Sequence, residues 1–487
     1  MTLSARQPAR EGASATTLYV DLDGTLIATD LLWESVCRLA QREPASLLRL
    51  PFWLARGRAA LKRELAARVD VDVATLPYRE EVLAYVRGER ANGRRTVLAT
   101  ASDASLAHAV AAHTGLFDDV IGSDGTANNK AEAKLRAIRE REGDRPFEYA
   151  GDARADLAIW RGAVAATVVA ASPGTERAAR ALGIPVRTLS HRGSALRPAL
   201  RALRPYQWVK NVLLFAPILL AHEIGSPTRL AQVVAAFVSF CCVASATYLW
   251  NDLLDVEADR RHPRKRERPF AAGALAIPTG FALSLALLAA GVGLSLAVLN
   301  AKATAMLLGY LALTTSYSFY FKERVFLDVL LLAGLYTHRI LAGGAAAGVA
   351  VSPWLLAFSM FFFLSLAFVK RYAELLGAKA DQREKLDRRG YEVDDIGLVE
   401  NMGTTSGYMS VLVLALYVSS DSVERLYASG GLLWGICPIM LFWVTRIWFL
   451  ARRGEMTDDP VLFAATDRVS YLAGAAIALV GIAAALR

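Results

Sequence analysis

The sequence predicts two joined architectures. An N-terminal α/β domain, with a Rossmann-like sheet and a helical cap, precedes an all-α polytopic membrane domain of about nine transmembrane helices. Three observations lead there. The chain has 487 residues, too many for one ordinary domain. Its 54% hydrophobic content is unevenly placed, with the apolar excess beginning near residue 210. Before that point, short apolar runs end in acidic turns, as strands do whose carboxyl ends face a site.

The formal net charge of +9 concentrates in loops beside apolar segments, which predicts contact with membrane and with phosphate. No RNA-recognition or helix-turn-helix pattern is present, so nucleic acid is not an expected partner. Cys37, Cys241, Cys242 and Cys437 have no metal-ligand spacing, and Cys241 and Cys242 read as packing residues inside a span. The N-terminus shows no apolar signal-peptide core, so the first domain is expected to stay in the cytoplasm.

Residues 1–16 are small and polar and read as a disordered tail. Thr17–Val20 then reads as a buried strand, followed by Asp21-Leu-Asp23-Gly-Thr25. Thr96–Thr100 is a second strand, ending in a hydroxyl. Tyr149-Ala-Gly-Asp152-Ala-Arg-Ala-Asp156 sets two acids four apart after a glycine turn, a donor set suited to Mg²⁺. This ordered set resembles the haloacid dehalogenase (HAD) superfamily. The resemblance implies Asp21 as a nucleophile that forms an aspartyl-phosphate and Asp23 as general acid and base. It implies Thr100 and a lysine as phosphate ligands, and Asp21, Asp23, Asp152 and Asp156 around the metal. Lys134 is the lysine chosen, with Lys130 as its competitor. Residues 30–90, helical in period, read as a cap within a domain spanning 17–190. The cap's apolar stripe is either core or a membrane-touching face. Residues 191–205 form a basic linker, lying at the membrane surface or simply solvated.

Apolar segments then fall near 211–222, 230–250, 277–299, 303–320, 326–346, 353–372, 404–420, 430–449 and 468–486, within a membrane domain spanning 206–487. Basic residues in alternate loops put the N-terminus and the sites on the cytoplasmic face of a bacterial-type plasma membrane and the C-terminus outside. The second span leads into Asn251-Asp252-x-x-Asp255-x-x-x-Asp259. Helical spacing puts these four side chains on one face, and carboxylates there suit Mg²⁺ carrying a diphosphate. A basic run follows: Arg260, Arg261, Arg264, Lys265, Arg266 and Arg268. A solvated loop that fixes topology explains the arginines but not the helically spaced acids.

An acidic motif after the second of nine helices resembles the UbiA superfamily of intramembrane prenyltransferases. Its aromatic prenyltransferases carry a second acidic motif after the sixth helix, where this chain has Lys370-Arg371-Tyr-Ala-Glu374. That departure looks like the decaprenyl-phosphate phosphoribosyltransferase branch. So do His262-Pro-x-Lys265-Arg-x-Arg268-Pro269, Lys210-Asn211 and Asp459-Pro460. The branch implies 5-phosphoribosyl 1-diphosphate as donor and a polyprenyl phosphate as acceptor. Asp252 and Asp255, with Asp259, would hold Mg²⁺, and Asn251, Lys210 and Asn211 would orient substrate. Lys265, Arg266, Lys322, Lys370 and Arg371 would bind phosphate, though Lys322 also reads as a topology-fixing residue. Two rivals stand beside this reading: prenyl transfer to an aromatic acceptor, and a non-catalytic membrane scaffold or transporter.

Overall fold

The computed structural model describes residues 16–123, 130–386, 389–420, 423, 426–456 and 459–485. Of the expected tail, residues 1–15 lie outside the described residues. By backbone packing the chain divides into two units. The first comprises Met1–Leu203 with Leu249–Leu283, and the second Arg204–Tyr248 with Ser284–Arg487.

The first unit is built on six parallel strands: β1 (Thr17–Val20), β2 (Thr96–Asp103), β3 (Asp119–Ser123), β4 (Phe147–Gly151), β5 (Ala165–Val169) and β6 (Val186–Ser190), in the order β3-β2-β1-β4-β5-β6. Every residue of β1 is buried, because helices cover both faces of a parallel sheet. Alternation along β1 assigns Leu18 and Val20 to one core and Tyr19 to the other. Strand order reverses at β1, which pairs with both β2 and β4. The carboxyl ends of strands at such a switch point are where open α/β sheets bind ligands.

Between β1 and β2 the chain forms helices Leu31–Arg42, Leu50–Ala55, Arg58–Ala66 and Glu80–Ala91. Asp30 starts the first by accepting from the Leu32 N–H at 2.9 Å. Trp53 and Leu61 are buried, while Leu48, Phe52 and Leu54 are exposed, so the apolar stripe is only partly core.

The second unit is helical. Among the described residues, six helices are long and apolar enough to cross a membrane: Pro227–Leu254 (in the first unit from Leu249 on), Ile277–Val298 (in the first unit up to Leu283), Leu327–Ala347, Pro353–Ala380, Gly430–Arg452 and Arg468–Ala485. Helices Ala301–Phe319 and Ile396–Val418 accompany them. The segment expected as the first span, 211–222, is not one helix. It is a 3₁₀ stretch, Pro205–Phe215, and a five-residue helix, Ala216–Leu220. Pro217 withholds an N–H, and the segment is too short to cross alone. It packs instead against the small-residue run Ala342–Ala347. There a Cβ on Gly343 would stand 2.0 Å from the Leu214 carbonyl oxygen.

Candidate active sites

In the first unit the turn after β1 carries Asp21, its N–H bonded to the Ala150 carbonyl of β4 at 2.9 Å. Lys134, on helix Glu132–Glu142, reaches Asp21 Oδ1 at 2.9 Å and the Tyr149 hydroxyl at 2.7 Å. Tyr149 donates in turn to Asp156 Oδ1 at 3.3 Å. Lys134 is buried and Lys130 exposed. Carboxylate oxygens of Asp21, Asp152 and Asp156 lie within 4.8 Å of one another.

Gly24 makes the approach of Asp152 possible. It sits at φ +79°, and a Cβ there would stand 2.4 Å from Asp152 Oδ2. Burial, then repulsion from Asp21 and Asp156, pushes the Asp152 carboxyl up to about 8. Burial and Asp21 push Asp156 to about 6, against the pull of Lys134. Three hard oxygen donors that repel one another in a buried pocket fit Mg²⁺.

Asp23, expected among the metal ligands, is not in this group. Its Oδ2 accepts from Ser102 Oγ at 2.6 Å and Thr100 Oγ1 at 3.3 Å, and its Oδ1 from the Leu31 N–H at 2.8 Å. Asp23 lies past the end of β1, where its carboxylate meets the hydroxyls of β2. Burial, and next the charge of Asp30, raises it to about 7, so it carries a proton over part of the neutral range. Sequence reasoning missed Ser102, Tyr149 and Gly24 as functional residues. Ser102 follows Thr100 by two on one strand, and that period places both hydroxyls on one face.

The acidic run belongs to the first unit. Asn251, Asp252, Asp255 and Asp259 are not on one unbroken helix: Pro227–Leu254 ends, Asp255 leaves helical geometry, and Val256–Arg261 begins. N–H to carbonyl bonds from Asp255 to Asn251 and from Asp259 to Asp255, both 2.8 Å, carry the chain through the kink. Arg268 bridges Asp252 at 3.1 Å and Asp259 at 2.7 Å. Burial raises the Asp259 carboxyl to about 6, with Arg268 opposing. Arg268 thus neutralises part of the charge of these acids; among the described residues, the group of three carboxylates whose oxygens gather within 4.8 Å is that of Asp21, Asp152 and Asp156, not this run. Lys265 and Arg266 are exposed on the turn Lys265–Glu267.

In the second unit Lys210 pairs with Asp459. Burial alone would raise the Asp459 carboxyl, but Lys210 and then Lys370 outweigh it and hold it low. Asn211 is buried and accepts from Arg339 Nε at 2.8 Å, and Arg339 also donates to the Tyr310 hydroxyl at 3.0 Å. Lys322 and Lys370 are half-buried. Arg371, expected to bind phosphate, is instead fully buried. It pairs with Asp328 at 2.8 Å and with Glu374. Neighbouring residues on a helix point about 100° apart, so Lys370 and its neighbour face different surroundings.

Apolar helices long enough to cross a membrane, an acidic run following one of them, and a carboxylate–lysine site on a parallel sheet define an integral membrane enzyme that joins a transferase to a hydrolase domain. Residues 212–467, more than half the chain, match the UbiA prenyltransferase family, and the protein belongs to it. Residues 18–161 match the haloacid dehalogenase-like hydrolase family.

The chain is similar, over different spans, to several relatives. The uncharacterized protein y4nM of Sinorhizobium fredii is 40% identical over 95% of this chain and 89% of its own length. The nodulation protein NoeC of Azorhizobium caulinodans is 38% identical over 57% of this chain and 90% of its own. The decaprenyl-phosphate phosphoribosyltransferase of Corynebacterium glutamicum is 40% identical over 46% of this chain and 69% of its own.

Proposed function

We propose that the chain carries out two steps in succession. Phosphoribose passes from 5-phosphoribosyl 1-diphosphate to a polyprenyl phosphate, and the hydrolase domain then removes the 5-phosphate. The product is a polyprenyl phosphoryl ribose suited to building cell-envelope glycans. The observation that carries the first step is the likeness to an enzyme named for phosphoribosyl transfer to decaprenyl phosphate. The second step rests on the Asp21–Lys134–Asp152 geometry.

In the transfer, an acceptor phosphate oxygen bonds to ribose C1 as the C1–diphosphate bond breaks. The acceptor is already anionic near neutral pH, so no general base is required. Asp252, Asp255 and Asp259 would hold Mg²⁺, with Asn251, Lys210 and Asn211 orienting substrate. Lys265, Arg266, Lys322 and Lys370 would bind phosphate oxygens.

In the hydrolysis, Asp21 attacks phosphorus while Lys134 and Thr100 hold its oxygens. Asp23 protonates the departing ribose oxygen and then takes a proton from the water that cleaves the aspartyl-phosphate. Asp21, Asp152 and Asp156 would hold a second Mg²⁺. Mg²⁺ at these residues, when bound, would supply positive charge to phosphate oxygens. Both sites face the cytoplasm in this reading, as the loop charges suggest.

The test is to incubate the full chain with Mg²⁺, polyprenyl phosphate and 5-phosphoribosyl 1-diphosphate and to weigh the lipids. Ribosyl lipid without the 5-phosphate supports both steps. Phosphoribosyl lipid alone supports the first and removes the second. Unmodified lipid, with prenylation of an aromatic acceptor in parallel, overturns the reading.

A further inference from the structure

Within the first unit, the segment carrying the transferase acids is built into the phosphatase fold. Arg260, one residue after Asp259, forks onto Glu34 with Nη2–Oε1 at 2.7 Å and Nη1–Oε2 at 3.1 Å. Both side chains are nearly sealed from solvent, at 6% and 4% exposed. Arg260 Nε also donates to the Ala271 carbonyl at 3.1 Å.

Glu34 leads back to the phosphatase site. It accepts from the Thr29 hydroxyl at 2.6 Å, and Thr29 closes the turn after the nucleophile through its carbonyl, which accepts from the Gly24 N–H at 3.0 Å. The helix bearing Glu34 starts at Leu31, whose N–H holds Asp23 at 2.8 Å. Further contacts line the same seam. Arg38 pairs with Glu257 at 3.1 Å, and Gln41 donates to the Leu254 carbonyl. Gly273, at φ +67°, leaves no room for a Cβ, which would stand 2.6 Å from the Ala28 carbonyl oxygen.

A planar fork that matches a carboxylate bidentately fixes orientation as well as distance. We infer that Glu34 and Arg260 are a positioning pair that locks the acidic segment of the transferase to the nucleophile turn of the phosphatase. Each residue therefore sets the geometry of the other domain's site. On its transferase side the inference rests on the function proposed above. Its phosphatase side stands without it.

The test uses the full chain and assays both activities per folded molecule, with p-nitrophenyl phosphate as the phosphatase probe. Arg260→Gln should lower phosphatase kcat about ten- to a hundred-fold, although Arg260 lies far along the chain from Asp21. Glu34→Gln should lower phosphoribosyl transfer comparably. Arg260→Lys, which keeps the charge but not the fork, should recover only part of the loss. The double reversal Glu34→Arg with Arg260→Glu should restore both activities above either single reversal, and should restore amide-exchange protection to residues 256–261. Arg261→Gln, at an exposed pair with Asp72, should change either activity less than two-fold.

A purely structural pair would reduce the folded fraction and leave kcat per folded molecule unchanged, and that result overturns the inference. So does a double reversal no better than the single ones. If the wild-type chain transfers no phosphoribose, yet Arg260→Gln slows the phosphatase and the double reversal restores it, the lock stands and the transferase reading falls.

Discussion

At Asp21 the decisive contact is with Lys134, a buried ion pair whose lysine is also held by Tyr149. Asp21→Asn should cut phosphatase activity at least about a thousand-fold and leave phosphoribosyl transfer intact, so that phosphoribosyl lipid accumulates in the mass spectrum. Asp255→Asn should do the reverse, losing most transfer while p-nitrophenyl phosphate is still cleaved. Gly24→Ala tests the turn itself. Its positive φ and the closeness of Asp152 predict about a hundred-fold loss of phosphatase activity, measured as kcat, with the protein still folded. The strand that ends before Asp21 was legible because two acids and Gly-Thr after a buried run admit few other readings. Lys134 against Lys130 was not decided by sequence, since both lie beside the same helix start and only the three-dimensional fold buries one.

Helix Pro353–Ala380 sets a half-buried lysine beside a sealed arginine, and the two should respond in opposite ways. Lys370→Gln should raise the apparent KM for 5-phosphoribosyl 1-diphosphate about ten-fold without shifting thermal unfolding. Arg371→Met should take from buried Asp328 its shortest ion pair, leaving the Tyr391 hydroxyl and Arg389 at 3.8 Å, and destabilise the protein by about 3 kcal/mol, read as a lowered Tm; Arg371→Met with Asp328→Leu should recover part of that loss. A sequence shows Lys370-Arg371 as one basic pair. It does not show which side chain turns inward, because that depends on where Asp328 arrives from another helix. The acidic run was legible in part. Spacing put its carboxylates on one face, and Asp252 and Asp259 do meet at one guanidinium, but the break at Asp255 and the choice of Arg268 as that cation were hidden in what had looked like an exposed basic block. Long helices were legible from composition, and the broken segment before them was not, since its place is set by packing on Ala342–Ala347.

Across the whole molecule, the proposed function gives both carboxylate-rich sites the same cation requirement. Chelation should silence transfer and hydrolysis together, and added Mg²⁺ should restore both; a phosphatase that survives chelation would argue against metal at Asp21, Asp152 and Asp156. The two-part architecture was plain in the change of hydropathy near residue 210. The seam between Glu34 and Arg260 was not, for 226 residues separate the partners and each charge has many rivals of equal strength.

That seam also sets a timetable for biosynthesis. The first unit is completed by Leu249–Leu283, so ribosomes that have finished Leu203 must add 283 − 203 = 80 more residues before its last contacts can form. At roughly 5–20 residues per second this is about 4–16 s of elongation, during which the helix that leads into the acidic run also has to be delivered to the lipid. Glu34 waits through that interval without the guanidinium it pairs with in the finished fold. A nascent chain whose membrane insertion fails would keep an open face on its phosphatase, and quality-control proteases would have a way to tell it from one that succeeded.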